Sequence, residues 1–417
     1  MSQYQTFSFD EYTFDSDTKT LIFKYSIDEQ LHFTEEYQFD VEIDKNLDQK
    51  ALDRACVVAF LIAGVSYYKT YLPPLVSYKN LEVDQNLADF LSKTYQKGLG
   101  EFFYVNNLDP KTPINFPVTS DPPEKLEVNS SGALIGIGGG KDSIVTVEKL
   151  RDHDTATWSL GHRQQLEPLV AKLNTQHCFV SRKIDEQLVK KSLLGAYNGH
   201  IPVSAIFASI GVVLAILVGK KDVIFSNEAA ANEPTLTYRG IEINHQYSKS
   251  LEFEQDFQDI LAENFGDSIR YFSYLRNLSE LQICEMFTKY FDKYSGVFSS
   301  CNRAFVQSSD QLFWCGKCPK CAFVYLGLAN YIDESKLMKL FGGKNLLLDP
   351  DLVQTYKMLV GMDQSKPLEC VGTIDECRWA MAQLTEKYPS LKAFDLTNNY
   401  DHSARAEHSI PADYEPL

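Results

Sequence analysis

Aromatic and polar residues alternate through the first stretch of the chain: Tyr4, Phe7, Phe9, Tyr12 and Phe14, then Leu21 to Ser26, then Tyr37 to Ile43. Alternation with a period of two predicts strands half-buried on a core. From Leu47 to about Tyr68 the apolar positions (Leu52, Ala55, Val58, Ala59, Ile62, Ala63) recur at helical spacing until Pro73-Pro74, and a second helix is predicted over about 86–99. Prolines then cluster at 110, 113, 117, 122 and 123, the strongest boundary signal in the chain. The pattern predicts a small α+β domain over 1–125.

From Ala133 the order changes to strands alternating with helices. Apolar runs at 133–135, 156–160, 178–180 and 223–226 predict strands, and helices are predicted over 144–151, 164–174 and 202–219. That alternation predicts an α/β fold with a doubly wound parallel sheet, whose ligand sits beyond the carboxyl ends of the strands. This domain is expected to span 126–335. Ser192 to Gly219 contains no Asp, Glu, Lys or Arg and is long enough to span a bilayer. Lys220-Lys221-Asp222 and a new strand follow at once, so the run is read as a buried central helix. Residues 336–417 show helical patterning near 337–341, 352–360 and 374–388 and form the expected helical C-terminal region. Trp379, Cys370 and Cys377 are assigned there to packing.

The candidate chemistry begins at Gly136-Ile137-Gly138-Gly139-Gly140-Lys141-Asp142-Ser143, between the first predicted strand and helix of the second domain. Glycines let backbone N–H groups converge on an anion, and a helix N-terminus adds partial positive charge at the same place. A nucleotide phosphate is the expected ligand. A Walker A loop would need glycine at 135 and Ser/Thr at 142, where Ile135 and Asp142 stand; a dinucleotide fingerprint would need glycine at 141, where Lys141 stands. What remains resembles the Ser-Gly-Gly-x-Asp-Ser loop of the N-type ATP pyrophosphatases (PP-loop enzymes), which cleave ATP between the α and β phosphates. Gly139, Gly140, Asp142 and Ser143 match that motif, Lys141 fills its variable slot, and Gly138 replaces its serine. The resemblance implies ATP held by residues 138–143, with Asp142 helping to place Mg²⁺.

A second polar cluster follows the predicted strand at 223–226. It holds Asn227, Glu228, Asn232 and Glu233, then Arg239, His245, Tyr247, Ser248 and Lys249. Such density beside a nucleotide site suits a substrate with several charged groups. Arg239 is the expected carboxylate or phosphate clamp. Asn227, Asn232, Tyr247 and Ser248 are candidate substrate contacts. Further on, Cys315, Cys318 and Cys321 are spaced to share one soft divalent ion, with Cys301, or else Cys284, as the fourth ligand. A filled Cys₄ shell predicts a structural zinc site; an iron–sulfur cluster and metal-free thiols are the alternatives.

Charge narrows the partners. The formal net charge is −16 and no basic run exceeds a Lys-Lys pair, which argues against nucleic acid. A hydrophobic content of 44% is ample for packed cores, and nine cysteines, an odd number, suit thiols in a reducing compartment. Met1-Ser2-Gln3-Tyr4 shows no secretory pattern, so a cytoplasmic location without membrane attachment is expected. The oligomeric state is not readable.

The glycine loop combined with the later cysteine set is similar to 7-cyano-7-deazaguanine synthase, which is much smaller and lacks counterparts of the N-terminal domain and of residues 227–254. A fuller resemblance, over roughly residues 1–345, is to the ATP-dependent UDP-N-acetylmuramoyl-L-alanyl-L-glutamate epimerases of peptidoglycan synthesis. It rests on chain length, the glycine-rich Lys-Asp-Ser loop, Ser226 to Ala230, Asn244 to Ser250 and the cysteine cluster. It implies adenylation of the terminal glutamate's carboxylate, inversion at Cα and release of AMP and diphosphate, with a UDP-linked muramyl dipeptide as substrate. His245, Lys249, Glu228 and Glu233 are the candidates for moving the Cα proton. Two other readings stay open: a PP-loop ligase that amidates a small carboxylate, although Ser2 rather than a cysteine nucleophile follows Met1, and a nucleotide sensor without catalysis.

Overall fold

The computed structural model describes residues 4–190, 192–305, 311–363 and 365–417; Ser2 lies outside them. The N-terminal alternation forms strands β1 (Thr6–Asp15), β2 (Thr20–Ile27) and β3 (Leu31–Asp40), and β4 (Leu75–Tyr78) follows the helices Gln49–Ala63 and Val65–Tyr68. Phe7, Phe9, Leu21, Phe23, Tyr25, Ile27, Phe33, Tyr37 and Phe39 are all buried, as period-two patterning requires. β5 (Ala133–Gly136), β6 (Thr155–Leu160), β7 (His177–Lys183), β8 (Asp222–Phe225) and β11 (Arg270–Ser273) belong to the same sheet, whereas β9 (Leu236–Tyr238) and β10 (Ile241–Ile243) form a separate hairpin.

The large sheet has nine strands in the order β11-β8-β5-β6-β7-β3-β2-β1-β4. Five of its eight pairings are parallel, and the antiparallel ones join β7 to β3, β3 to β2 and β2 to β1. The proline-rich segment near residue 125 therefore does not interrupt the sheet. β3 pairs with β7 from Glu36↔Lys183 to Asp40↔Phe179, and buried Glu35 meets Arg182 of β7 at 2.6 Å across the seam. The sequence pattern locates β1 to β3 and β5 to β8 but misses β4, β11 and the β9–β10 hairpin, which are only three or four residues long; edge pairing depends on strand geometry that no local pattern carries.

Alternate residues of the central strands feed two cores. Leu134 and Val223 point to the core shared with the N-terminal strands; Ile135 and Ile224 point to the one shared with the C-terminal helices. The uncharged run forms the helix Val203–Leu217, buried along most of its length. Among the described residues, one helical stretch, Gln49–Tyr68, is long and apolar enough to cross a membrane, and 83% of that window is buried within the fold. The C-terminal region is helical at Glu334–Leu340, Val353–Leu359 and Ile374–Gln383.

Strand order locates the crevice. β5 leads to β6 and β7 on one side, whereas β8 returns to its other side. The carboxyl ends of β5 and β8 thus flank a topological switch point, where doubly wound sheets bind ligands.

Candidate active site

The glycine loop leaves β5 at this switch point and enters the helix Lys141–Lys149, whose N-cap, Gly140, supplies no side-chain acceptor. The first helical N–H groups are thereby left to an external anion. Gly139 has φ +85°, and a Cβ there would lie 3.0 Å from Phe305 Cζ and 3.2 Å from Leu166 Cδ2, so glycine is required twice over. Gly138 differs: a Cβ would meet nothing within 4 Å, so a serine would fit. Ser143 Oγ donates to the Gly140 carbonyl at 3.1 Å, which ties the turn closed.

Lys141 does not fill a neutral variable slot. It is buried, with its ammonium paired to Asp142 and to Glu280, which opens the helix Glu280–Phe287. Burial alone would lower its pKa, but these two carboxylates outweigh burial and hold it well above the usual lysine value. Burial would likewise raise Asp142; Lys141, Lys320 and Lys249 outweigh that and keep it below the usual range. Asp142 is thus held as an anion beside the loop, the state a divalent cation would need. Glu280 goes the other way, raised by burial against the pull of Lys141.

The loop after β8 supplies the facing wall. Ser226 Oγ and Thr146 Oγ1 of the loop helix lie 2.8 Å apart, and Asn227 Nδ2 donates to Ser273 Oγ at 2.9 Å. Glu228 is buried; burial raises its carboxyl pKa and the charge of Asp142 adds to the rise. Arg276 holds this wall. Fully buried, it pairs with equally buried Glu254 at 2.8 Å and donates to the carbonyls of Glu228 at 2.9 Å and Lys249 at 2.6 Å. One guanidinium therefore fixes two candidate residues at once, a role visible only in three dimensions.

Lys249 Nζ lies 3.1 Å from Cys370 Sγ, a residue the sequence reading assigned to packing. Its charge also acts on Glu228 and Asp142. His245 hydrogen-bonds the Glu101 carboxylate through Nδ1, and its ring is near enough to Cys370 for each to shift the other's proton affinity. Burial would push the Cys370 thiol up, but Lys249 and then His245 outweigh it and bring it down to about 6. Burial would lower His245, yet Cys370 and Glu101 raise it to about 9. Between these values the pair is a thiolate beside an imidazolium. His200, with Nδ1 at 3.6 Å from Glu101, is pushed down to about 4 by burial and by the His245 cation. Glu101, His200 and His245 bring possible ligand atoms within 4.8 Å of one another, with Glu101 hydrogen-bonded to His245. No short motif surrounds Cys370, so the sequence carried no signal for it.

The structure does not bring every candidate to this centre. Glu233 pairs with Lys366. Asn232 Oδ1 accepts from the Leu251 amide at 2.7 Å, at the start of the helix Leu251–Phe265. Arg239 occupies the exposed β9–β10 turn with φ +50° and donates to Asn107. Tyr247 packs in the core near Phe253, and Ser248 is buried beside it.

The four cysteines converge. Cys301 Sγ lies 3.9 Å from Cys318 Sγ, Cys315 Sγ lies 3.7 Å from Cys321 Sγ, and all four sulfurs are within 4.8 Å of one another. Metal–sulfur bonds of about 2.3 Å in a tetrahedron separate their sulfurs by about 3.8 Å, so the quartet fits such an ion. Backbone N–H groups of Lys317 and Cys321 face Cys315 and Cys318 at 3.4 Å. Cys284 is outside the quartet, buried against Gly327. The cluster starts the helix Pro319–Ala329. From that start Lys320 sends Nζ to the Cys370 carbonyl, and its amide donates to Glu369 at 2.9 Å. Next to Cys301, Ser299 N donates to the Gly139 carbonyl at 2.9 Å. The quartet thus braces the glycine loop and the Cys370 segment together.

Comparison with known proteins places the chain in a family. The family model described as the MurL N-terminal domain matches residues 1–274, and that of the MurL C-terminal domain matches residues 297–409. A protein of Xanthomonas oryzae pv. oryzae named UDP-N-acetyl-alpha-D-muramoyl-L-alanyl-L-glutamate epimerase is 38% identical over 81% of this chain and 76% of its own length. Proteins of the same name from a Micromonospora strain and from Salinispora tropica are each 36% identical over 91% of this chain, covering 87% and 85% of their own lengths. No solved structure matches the chain. With both family domains matched and relatives this similar over most of its length, the chain belongs to the MurL family.

Proposed function

We propose that this protein inverts the terminal glutamate of UDP-N-acetylmuramoyl-L-alanyl-L-glutamate from L to D, using ATP to activate the glutamate α-carboxylate. The observation that carries this reading is the meeting of an open phosphate loop with an acid–base cluster at one switch point, in a chain whose relatives bear the epimerase name. Removing a Cα proton beside a carboxylate would build a second negative charge next to the first. Transfer of AMP to that carboxylate cancels its charge and makes the proton removable. Hydrolysis of the acyl adenylate afterwards makes the sequence irreversible.

In this reading the loop is a PP-loop. The amides of Gly138, Gly139 and Gly140 with Ser143 hold the departing diphosphate, and Asp142 would hold Mg²⁺, which supplies charge neutralisation for phosphoryl oxygens. Lys249 and Lys320 offer cations to the developing oxyanion. Cys301, Cys315, Cys318 and Cys321 would hold zinc, whose filled shell supplies rigidity.

The test is incubation with the UDP-linked dipeptide, ATP and Mg²⁺ in D₂O. The expected products are the D-glutamate isomer with deuterium at Cα, AMP and diphosphate. Inversion without ATP would sink the activation step, and formation of an amide would favour the ligase reading.

A further inference from the structure

The mechanism above leaves the base unassigned, and the strongest unused feature of the fold is the array around Cys370. Its sulfur receives Lys249 Nζ at 3.1 Å and lies within the field of His245, which Glu101 holds through Nδ1. Lys320 pins its carbonyl from the cysteine-braced helix. Four charged or titratable groups from three other parts of the chain gather around a residue in the connection between the helices Val353–Leu359 and Ile374–Gln383. Packing needs none of them: an apolar side chain would fill the position without the cost of gathering charges in a part-buried place.

We propose that Cys370, as the thiolate, removes the Cα proton of the activated glutamate and that Glu228 returns a proton to the opposite face. This assignment rests on the epimerase reading. His245 Nδ1 is taken by the Glu101 carboxylate and its charge acts on the Cys370 sulfur; in this assignment His245 and Glu101 serve as positioning residues that keep the thiol ionised. Glu228 lies in the loop after β8, braced by Arg276 together with Lys249, whose ammonium reaches the Cys370 sulfur, and Lys249 has both Cys370 and Glu228 in its field.

The step balances without redox chemistry. The Cα–H bond breaks, its proton forms an S–H bond on Cys370, and its electron pair moves into the acyl carbonyl as an enolate oxyanion that lysine ammonium groups can neutralise. The carboxyl O–H of Glu228 then breaks, and a new Cα–H bond forms on the other face. Cys370 is left as thiol and Glu228 as carboxylate. The resting state returns when the thiol gives its proton to water and Glu228 takes one up.

Lys249, His245 and Lys320 favour the thiolate, whereas burial opposes it; the same sulfur acts on the Glu228 carboxyl, and Glu101 holds His245. The test compares Cys370→Ser and Cys370→Ala with wild type, reading ATP–diphosphate exchange, deuterium uptake at Cα in D₂O, and the thermal transition. Expected for Cys370→Ser is an exchange rate near wild type and a thermal transition lowered by a few degrees, because Lys249 loses its anionic partner, with deuterium uptake and inversion down about 10²- to 10⁴-fold, the usual worth of a positioned base. His245→Asn should move the acid limb of the inversion profile up from about 6, a shift that a merely structural histidine would not cause. Undiminished inversion in Cys370→Ala, parallel loss of exchange and deuterium uptake in Cys370→Ser, or an unmoved acid limb overturns the assignment. Wild-type inversion without AMP formation would instead overturn the activation step, and deuterium uptake in Cys370→Ser would still report on the thiol.

Discussion

Replacing Arg276 by methionine separates stability from site geometry. Arg276 and Glu254 are both fully buried and paired at 2.8 Å, and the guanidinium also donates to the carbonyls of Glu228 and Lys249. Arg276→Met leaves Glu254 with the Ser409 hydroxyl at 2.9 Å and deprives both carbonyls of this donor. Breaking a buried pair by removing one partner costs about 3–5 kcal/mol. An unfolding entropy of about 2.1 cal/mol/K per residue over this length is roughly 0.9 kcal/mol/K, so 4 kcal/mol lowers a cooperative Tm by about 4–5 °C. Arg276→Met/Glu254→Leu removes both charges and should recover most of that loss, because an apolar pair of similar volume is often neutral or better. Inversion should remain impaired in the double variant, since neither Glu228 nor Lys249 regains its donor. Calorimetry and the deuterium assay on the three proteins test this. A single-variant cost under about 1 kcal/mol, or full activity in the double variant, would refute the view that Arg276 positions the site, since charged hydrogen bonds alone should exceed it.

Three further outcomes are expected. Gly139→Ala should cost about 1–2 kcal/mol for its left-handed backbone, together with the approach to Phe305, and should abolish ATP–diphosphate exchange, whereas Gly138→Ser should keep exchange at or above the wild-type rate; equal effects would contradict the loop geometry. Metal analysis should find about one zinc per chain, lost in Cys318→Ser together with a fall in Tm, whereas Cys284→Ala should retain the metal. His245 rises from 6.5 to about 9 on folding, so its contribution to stability is complete below 6.5 and is lost as the pH rises through 9. Denaturant titrations should therefore show Glu101→Gln destabilised most at pH 6 and approaching wild type above pH 9; a pH-independent difference would mean that Glu101 does not hold the imidazolium.

Much of the fold was legible because it is written locally. Period-two patterning marked β1 to β3, the uncharged run became a buried helix, and strand–helix alternation placed the glycine loop at the end of β5. The Cys-x-x-Cys-x-x-Cys spacing marked three members of the quartet, and Cys301 joins them in space. Other candidates could not be sorted this way. Arg239 and Lys249 look equally suited to a site in one dimension, yet one caps a solvent-facing hairpin and the other lies against Cys370.

What the sequence alone determined is whatever depends on neighbours along the chain: the longer strands and helices, the glycine-rich turn and the shared spacing of thiols. What only the tertiary structure decided depends on residues far apart in sequence. The β3–β7 seam makes one sheet of two predicted parts, Glu280 turns Lys141 inward, and Arg276 sets two loops at once. The Cys370 thiol is brought down to about 6 by Lys249 and His245, more than 120 positions away. The physical reason is that a charge's state is set by burial and by the charges within a few ångströms, and folding chooses those neighbours.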